Sequence, residues 1–522
     1  MPKTSIQPLQ QRAIGLTVRL WFSALIAIAL LVYAAWSFLA SASGVVTTTT
    51  HIGPTPITVH RAAGTPESSP RPLVVIAHGF AGSQQLMSAF ATTLARNGYL
   101  AVTFDFAGHG RHLAPMEGDV TQIEGATVRL VTQLREVVEV AKALPGAGDQ
   151  LAVLGHSMAS DIVVRYAQQN PTVDATVAVS MFSPAVTADT PRNLLIIVGE
   201  WEKYLRTEAL RVLRLSAPEA TENQTVRRAD GSQRRVAVAD NVEHVSVLYS
   251  EDTLGETVRW LNASLDHQSR GYLDLRGPPT IALLAGIVLL AWPLSWQLPR
   301  VSPASLGANL PWRRLLPVAV VPALVTPFVL IGLPANFFGV LVGGYVAVHF
   351  LVYGLLTAIM LMVVKGWRGA RGLFFAPARW VLAATITTAY CAVLISLALD
   401  RYVTSFALTP LRLPLVVLML AGTLIYFVTD EWATRGLRPA RGGHLFTRIC
   451  FLASLGVAVA LSPQDLFFLL IIAAVIVIYF LIYGLFSRWA YRATGHPGVG
   501  SVANAVAFAW ALAAVFPIMS GQ

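Results

Sequence analysis

Long apolar runs lie on either side of one polar stretch in this chain of 522 residues. The polar stretch extends from about Thr47 to Arg276. A bilayer hydrocarbon core of about 30 Å requires roughly 20 apolar helical residues, so each run predicts a membrane span, although the run 449–461 needs its flanks to be long enough. The runs cover 20–40, 280–298, 315–333, 338–364, 380–399, 413–428, 449–461, 466–486 and 502–518.

The first run is preceded by Lys3, Arg12 and Arg19, and two interpretations of it compete. Ala40-Ser41-Ala42 resembles the cleavage site of a signal peptide. The apolar run, however, exceeds the roughly 7 to 15 residues of a signal core. The length therefore favours an uncleaved anchor with a cytoplasmic N-terminus.

Basic residues beside the short loops indicate the orientation, because loops rich in Lys and Arg stay in the cytoplasm. They collect on one side of the predicted bundle, whereas the opposite side carries only Arg401 and Arg412. The polar stretch is therefore predicted to lie outside the cytoplasm, in a multi-pass protein of the cell membrane. The basic loops contain Arg300, Arg313 and Arg314; Lys365, Arg368, Arg371 and Arg379; Arg435, Arg438, Arg441 and Arg448; and Arg488 and Arg492.

These patterns predict four parts of the chain. Residues 1–44 form the basic N-terminus and anchor, 45–267 an extracytoplasmic domain, 268–279 a linker, and 280–522 a membrane domain of about eight helices. Composition agrees with a membrane class, since 55% of residues are apolar and 13% are charged.

The net charge of +10 does not indicate a nucleic-acid partner, because the excess of basic residues lies among the apolar runs and not in the polar domain. Residues 50–267 contain 18 Lys and Arg against 23 Asp and Glu, so the polar domain is mildly acidic. Both cysteines, Cys391 and Cys450, lie in or beside apolar runs. The polar domain therefore has no thiol for a disulfide, a metal site or a nucleophile.

Within the polar domain, short β-rich runs alternate with helical patterns, which predicts a mostly parallel sheet with helices on both faces. Helices are expected over 121–144 and 252–265, each with one apolar face. Residues 45–60 are expected to add one or two edge strands. The predicted strands are 73–77, 100–104, 150–154, 175–180, 194–198 and 235–239.

Ser157 lies in Gly155-His156-Ser157-Met158-Ala159, directly after a predicted strand and at the start of a helical pattern. A sharp strand-to-helix turn exposes a serine hydroxyl in this way, and small flanking residues let the strand and the helix approach closely. Ala159 stands where the usual motif has glycine. The pattern predicts a nucleophilic serine, against the alternative of a serine that only caps a helix.

Three segments together resemble the α/β-hydrolase superfamily, nearest its dienelactone-hydrolase and serine-peptidase-like branch. They are Val75-Ile76-Ala77-His78-Gly79-Phe80, Phe104-Asp105-Phe106-Ala107-Gly108-His109-Gly110 and Gly155-His156-Ser157-Met158-Ala159. The resemblance covers roughly residues 72–265, and the membrane spans resemble no family. It implies an oxyanion hole made by the backbone N–H groups of Phe80 and Met158, whereas His78 is expected to be structural.

The resemblance also implies the order serine, acid, histidine along the chain. His244 follows the last predicted strand and is the expected general base, whereas His267 lies after the final helix near the membrane. The acid should follow the strand 194–198, where Glu200 and Glu202 compete. The family's usual spacing from a glycine favours Glu202, with Glu200 as the alternate. Asp105 and His109 are expected to shape a loop.

The resulting hypothesis is a membrane-bound serine hydrolase that cleaves an ester, thioester or amide bond outside the cytoplasm through an acyl-enzyme, with lipid or acylated molecules as candidate substrates. It requires no cofactor and no metal. The rival hypothesis is a transporter or membrane scaffold whose outer domain is an inactive, ligand-binding relic, because fold resemblance cannot decide activity. The spans beyond the anchor keep this rival open.

Overall fold

The computed structural model describes residues 6–119, 122–366 and 377–520. Contacts divide the chain into two compact units, which we call unit 1 and unit 2. Unit 1 comprises Met1–Ala34, Ile281–Ala398 and Arg412–Ala514, and unit 2 comprises Ala35–Thr280, Leu399–Leu411 and Val515–Gln522. Unit 2 therefore contains the polar stretch and two short segments from far along the chain.

A sheet of nine strands organises unit 2, in the order β1-β2-β4-β3-β5-β6-β7-β9-β8. The six strands from β4 to β9 in this order are parallel, whereas β1, β2 and β8 pair antiparallel at the two edges. The predicted mostly parallel sheet is confirmed. The strands are β1 Val45–Ile52, β2 Thr55–Ala62, β3 Arg71–Ala77, β4 Leu100–Phe104, β5 Ala147–His156, β6 Ala175–Val179, β7 Leu194–Gly199, β8 Thr225–Arg227 and β9 Gln233–Ala239.

Helices cover both faces of the sheet, as the alternation of strands and helical patterns predicts. Among the described residues, the α-helices are α1 Ile6–Ala42, α2 Ser88–Arg96, α3 Val128–Lys142, α4 Met158–Gln169, α5 Lys203–Arg214, α6 Glu251–Ser264, α7 Gly277–Ser295, α8 Trp312–Val329, α9 Gly343–Lys365, α10 Ala378–Thr388, α11 Ile395–Tyr402, α12 Leu413–Thr434, α13 Gly443–Leu461, α14 Pro463–Ile471, α15 Ala473–Thr494 and α16 Pro497–Val515.

Strand β7 shows how the sequence supports both faces. Successive side chains of a strand point to opposite sides, and Leu195 and Ile197 enter one buried cluster with α2 and α6. Leu194 and Ile196 enter the other cluster with α4 and α5. The strand can be apolar throughout because it is buried on both faces.

Unit 1 is helical. Within the described residues, nine helices of the chain are long and apolar enough to cross a membrane, in agreement with the nine predicted runs. They are Gly15–Ala42, Gly277–Ser295, Trp312–Val329, Gly343–Lys365, Ala378–Tyr402, Leu413–Thr434, Gly443–Leu461, Ala473–Thr494 and Pro497–Val515.

Two predicted helices differ from the structure. The run 466–486 is broken at Ile472 (φ −98°, ψ 6°), so that α14 ends before α15 begins. The helix predicted over 121–144 has its regular part only from Val128, after a π-helical turn in which Gly125 is non-helical. Its predicted first residue, Thr121, lies outside the described residues.

Candidate active site

Ser157 lies at the turn between β5 and α4, in the backbone conformation φ 55°, ψ −120°. Such a conformation costs of order 1–3 kcal/mol in a non-glycine residue and persists only where the surroundings impose it. Crowding at Gly155 is one such constraint, because a Cβ there would lie 2.4 Å from the carbonyl oxygen of Ala159. Ala159 itself is fully buried. The turn thus tolerates alanine at this position but requires glycine at 155.

His244 follows β9 and contacts the serine directly. Its Nε2 atom accepts a hydrogen bond of 2.8 Å from the Oγ of Ser157. Its Nδ1–H donates a hydrogen bond of 2.6 Å to the Oε1 of Glu202. Because a carboxylate only accepts, this second bond fixes the tautomer in which Nε2 is free to take the serine proton.

Glu202, and not Glu200, is the acid that reaches the histidine. The chain turns after β7, where the N–H of Glu202 donates to the carbonyl oxygen of Gly199. The second oxygen of the Glu202 carboxylate accepts from Ser180 Oγ at 2.8 Å and from the Gly199 N–H at 2.7 Å. Glu200 is exposed and accepts instead from the Asn241 N–H at 2.9 Å.

The loop after β3 approaches the serine closely. A Cβ on Gly79 would lie 2.9 Å from the Cβ of Ser157, so only glycine fits there. This approach brings the backbone of Phe80 beside the start of α4. The N–H of Met158 belongs to the first turn of that helix, whose N–H groups have no acceptor within the helix. Both predicted oxyanion donors therefore lie on segments adjacent to Ser157.

His78 is structural, as expected. It is fully buried, and its Nδ1–H donates to the Gly79 carbonyl oxygen at 2.8 Å, while its Nε2 accepts from the Phe106 N–H at 3.1 Å. Burial lowers the pKa of His78, so the ring is neutral near pH 7. His78 thereby ties the glycine loop to the loop that follows β4.

Sequence reasoning missed a role for His156. Its Nε2–H donates a hydrogen bond of 2.9 Å to the backbone carbonyl oxygen of His244, and the two rings lie 5.0 Å apart. Burial lowers the pKa of His156 to about 3. The motif gives no signal for this role, because its position directly before the serine accepts any residue.

The loop after β4 is held from within by Asp105, in line with its expected turn role. One carboxylate oxygen accepts from the Gln84 N–H at 2.7 Å and the other from the Arg111 N–H at 2.9 Å. His109 also stabilises this loop, since its Nδ1–H donates to the Ala107 carbonyl oxygen at 2.9 Å. The loop is therefore ordered by its own side chains next to the glycine loop.

Two distant segments of unit 2 also hold this loop. The Met116 N–H donates to the Ile518 carbonyl oxygen at 2.7 Å, and the Ile518 N–H donates to the Gly108 carbonyl oxygen at 2.9 Å. From the segment Leu399–Leu411, Asp400 forms an ion pair of 2.5 Å with Arg111. Sequence reasoning predicted none of these contacts.

Three observations identify the fold. They are the order of the strands, the position of the serine turn, and the histidine after the last parallel strand. Residues 68–268 form an α/β-hydrolase domain. The same residues match the family model described as serine aminopeptidase, S33. The superfamily resemblance stated from the three motifs is thus confirmed over nearly the same range.

Solved structures similar to this chain include three bacterial proteins. A hypothetical protein of Pseudomonas aeruginosa is 12% identical and covers 43% of this chain and 95% of its own, with a TM-score of 0.33. A membrane phospholipase A is 15% identical and covers 49% and 98%, with a TM-score of 0.32. A putative dienelactone hydrolase from Klebsiella pneumoniae is 18% identical and covers 42% and 98%, with a TM-score of 0.32. No curated protein sequence matches this chain.

Exposed aromatic side chains lie at the same edge of the hydrolase domain's sheet as the serine. Phe182 follows β6, and Trp201 and Tyr204 follow β7; their exposed fractions are 48%, 61% and 69%. The rings of Phe182 and Tyr204 stack at 6.0 Å. Carboxyl ends of parallel strands share one edge of a sheet, so this apolar surface and Ser157 lie at the same edge.

One group among the described residues has the geometry of a metal site, and it lies in unit 1. Ligand atoms of Asp430, Glu431 and His444 lie within 4.8 Å of one another. Glu431 already pairs with Arg435 at 2.7 Å and approaches Arg448 at 3.5 Å. A metal cation there would have to compete with two guanidinium groups.

Proposed function

We propose that this protein is a membrane-bound serine hydrolase with Ser157 as nucleophile, His244 as general base and Glu202 as the carboxylate that orients it. The observation that supports this most is the chain of two hydrogen bonds, 2.8 Å from serine to histidine and 2.6 Å from histidine to glutamate. A serine hydroxyl is a weak nucleophile, and an adjacent oriented base is what activates it.

The reaction has two halves. Ser157 Oγ attacks the carbonyl carbon of an ester, thioester or amide while His244 Nε2 takes the hydroxyl proton. The N–H groups of Phe80 and Met158 stabilise the oxyanion. The carbon–heteroatom bond then breaks, the leaving group receives the proton from His244, and an acyl-enzyme remains. Water, deprotonated by the same histidine, attacks the acyl-enzyme and releases the acid and the serine.

The aromatic residues Phe182, Trp201 and Tyr204 support a substrate with an apolar acyl group, including a lipid or an acylated molecule. Exposed apolar patches beside a site favour apolar ligands, because burial of such surface yields about 25 cal/mol per Å². No helix lies between β6 and β7 of the hydrolase domain, because the described residues 182–193 form turns and irregular backbone. This favours an open site and hence a bulky substrate.

We place the protein in the cell membrane, with the hydrolase domain outside the cytoplasm and residues 1–44, 45–267, 268–279 and 280–522 as its four parts. The nine long apolar helices found in the described part of the chain support a multi-pass arrangement. The concentration of arginine in alternate loops supports the orientation.

Labelling with a membrane-impermeant fluorophosphonate tests both parts of the proposal. Intact cells expressing the wild type should be labelled, cells expressing Ser157→Ala should not, and Ser68→Ala, which alters an exposed serine, should behave as wild type. Labelling only after permeabilisation would contradict the orientation and leave the activity standing. Absence of labelling in both preparations would contradict the catalytic proposal and favour the scaffold or transporter.

A further inference from the structure

A cavity of about 760 Å³ opens at one end of the helices of unit 1. It lies where α12 ends, α13 begins and α15 makes its last turns. Five arginines and one histidine line it: Arg435, Arg438, Arg441, Arg488, Arg492 and His444. On the charge pattern of the sequence, this end faces the cytoplasm.

The charge of the lining is unbalanced. Next to the cavity, Glu431 contacts both Arg435 and Arg448, and Asp430 adds a second carboxylate within 3.9 Å of His444. Four arginines then remain, and they have no carboxylate partner within the described part of the chain. The four are exposed at the cavity: Arg438, Arg441, Arg488 and Arg492.

Backbone groups add to this positive potential. Helix α13 begins at Gly443 after Gly442, and both residues line the cavity. The first N–H groups of a helix have no acceptor within the helix, and its N-terminus carries roughly half a positive charge. The carbonyl ends of α12 and α15 oppose this effect with partial negative charges. The four positive charges of the guanidinium groups are larger than these partial charges.

Topology alone explains basic loops, because positive charge keeps a loop in the cytoplasm. It does not explain why arginines from two separate segments converge on one cavity. Arg313 and Arg314 lie in another basic segment, at the start of α8; both are exposed, and neither lines the cavity. They provide an internal comparison between basic residues in general and the arginines of the cavity.

We propose that this cavity binds a phosphate-bearing anion, either the headgroup of an anionic phospholipid or a soluble phosphate compound. The planar guanidinium group binds phosphate through two parallel hydrogen bonds, which suits arginine better than lysine to this ligand. Ligand sites commonly occupy about 300–1,000 Å³, so the cavity has room for a headgroup larger than phosphate alone. The proposal is independent of the hydrolase activity.

Binding can be measured with the full chain purified in a non-ionic detergent. Dihexanoyl phosphatidic acid, dihexanoyl phosphatidylglycerol, dihexanoyl phosphatidylcholine and inorganic phosphate are titrated separately, and dissociation constants are obtained from the shift of the unfolding midpoint. At least one of the anionic ligands should bind. Arg438→Gln with Arg441→Gln should raise its dissociation constant by about tenfold or more.

The matched control removes the same charge elsewhere. Arg313→Gln with Arg314→Gln should leave the dissociation constant within about twofold of the wild type. If the first double variant fails to fold, Arg441→Lys keeps the charge, removes the bidentate geometry and should still weaken binding.

Each outcome decides a point. Binding of the anionic lipids without inorganic phosphate would support a headgroup, and binding of both would support the phosphate group as the common determinant. Two results overturn the proposal: no anionic ligand binds better than phosphatidylcholine, or the two double variants lose equal affinity. The second result would mean that general surface charge, and not the cavity, attracts the ligand.

Discussion

The ring of His156 holds the backbone of His244 by a hydrogen bond of 2.9 Å from Nε2 to the carbonyl oxygen. The residue before the proposed nucleophile thus positions the proposed base. His156→Ala would leave this partly buried carbonyl oxygen without its donor, which costs about 1–3 kcal/mol, and should slow fluorophosphonate labelling about tenfold. His156→Gln keeps an N–H donor and should retain most of the rate. The pH profile of labelling should shift in the alanine variant only; equal losses in both variants would contradict the positioning role.

The two competing glutamates can be separated by one matched pair of variants. Glu202→Gln keeps the size of the side chain but removes the charge opposite His244 Nδ1, and should reduce turnover by about 10³- to 10⁴-fold. Glu200→Gln affects an exposed side chain bonded to the Asn241 N–H and should stay within about twofold of the wild type. Hydrolysis of a chromogenic acyl ester measures both. A large loss in Glu200→Gln would reverse the assignment of the acid.

The serine turn predicts opposite effects of two small substitutions. Gly155→Ala places a Cβ about 2.4 Å from the Ala159 carbonyl oxygen, so the turn cannot keep its geometry. This variant should lose labelling and unfold at a lower temperature. Ala159→Gly removes a buried methyl group but leaves this carbonyl oxygen in place, so this variant should remain active. Thermal unfolding of both variants measures the effect, and an active Gly155→Ala protein would show that the turn is less crowded than its geometry indicates.

The segment Val515–Gln522 predicts an effect of backbone donors far from the serine in sequence. Ile518→Pro removes the N–H that donates to Gly108, and proline has no donor to replace it. The loop next to the glycine loop should become less ordered. Labelling should then slow several-fold, which corresponds to the net free energy of about one hydrogen bond. Ile518→Ala keeps the N–H and serves as the control. If both variants label at the wild-type rate, the segment does not support the site.

Stability of unit 2 should fall in acid through its buried histidines. Burial lowers the pKa of His60 to about 4 and that of His156 to about 3, from 6.5. Between these values and pH 6.5 the unfolded chain binds more protons, so stability is highest above about pH 6.5 and decreases as the pH falls. Each histidine should cost about 1.4 kcal/mol per pH unit in this window.

Unfolding midpoints between about pH 7.5 and pH 5 measure this dependence. His156→Gln should reduce the slope of stability against pH by about 1.4 kcal/mol per pH unit, the contribution of one histidine. His51→Gln, at an exposed strand position, should leave the slope unchanged. An unchanged slope in His156→Gln would show that this ring does not resist protonation.

The sheet was predictable because each central strand is a short apolar run buried on both faces. The break at Ile472 was not, because the chain has no glycine or proline between residues 466 and 483 to mark it. Helix α14 follows Pro463, which begins a helix well but gives no indication of where it stops.

Motifs located the serine and the histidine, whose roles stay predictions until they are tested. Residue spacing left two glutamates, and the turn at Gly199 is what brings Glu202 to the histidine. The contacts of Ile518 with Gly108 and Met116 could not be predicted, because they join backbone atoms. Every residue except proline carries the same N–H and C=O groups, so the sequence contains no signature of such a pairing.

These backbone contacts have a consequence for biosynthesis. Residues 515–520 leave the ribosome after the described helices of unit 1, yet they hold the loop that lies next to the glycine loop, in a unit whose sheet is complete some 275 residues earlier. Domains generally fold as they are synthesised, so the sheet should form early while this loop still lacks its last partner. On the proposed function, full reactivity of Ser157 should then appear only after α16 and the segment that follows it have been synthesised.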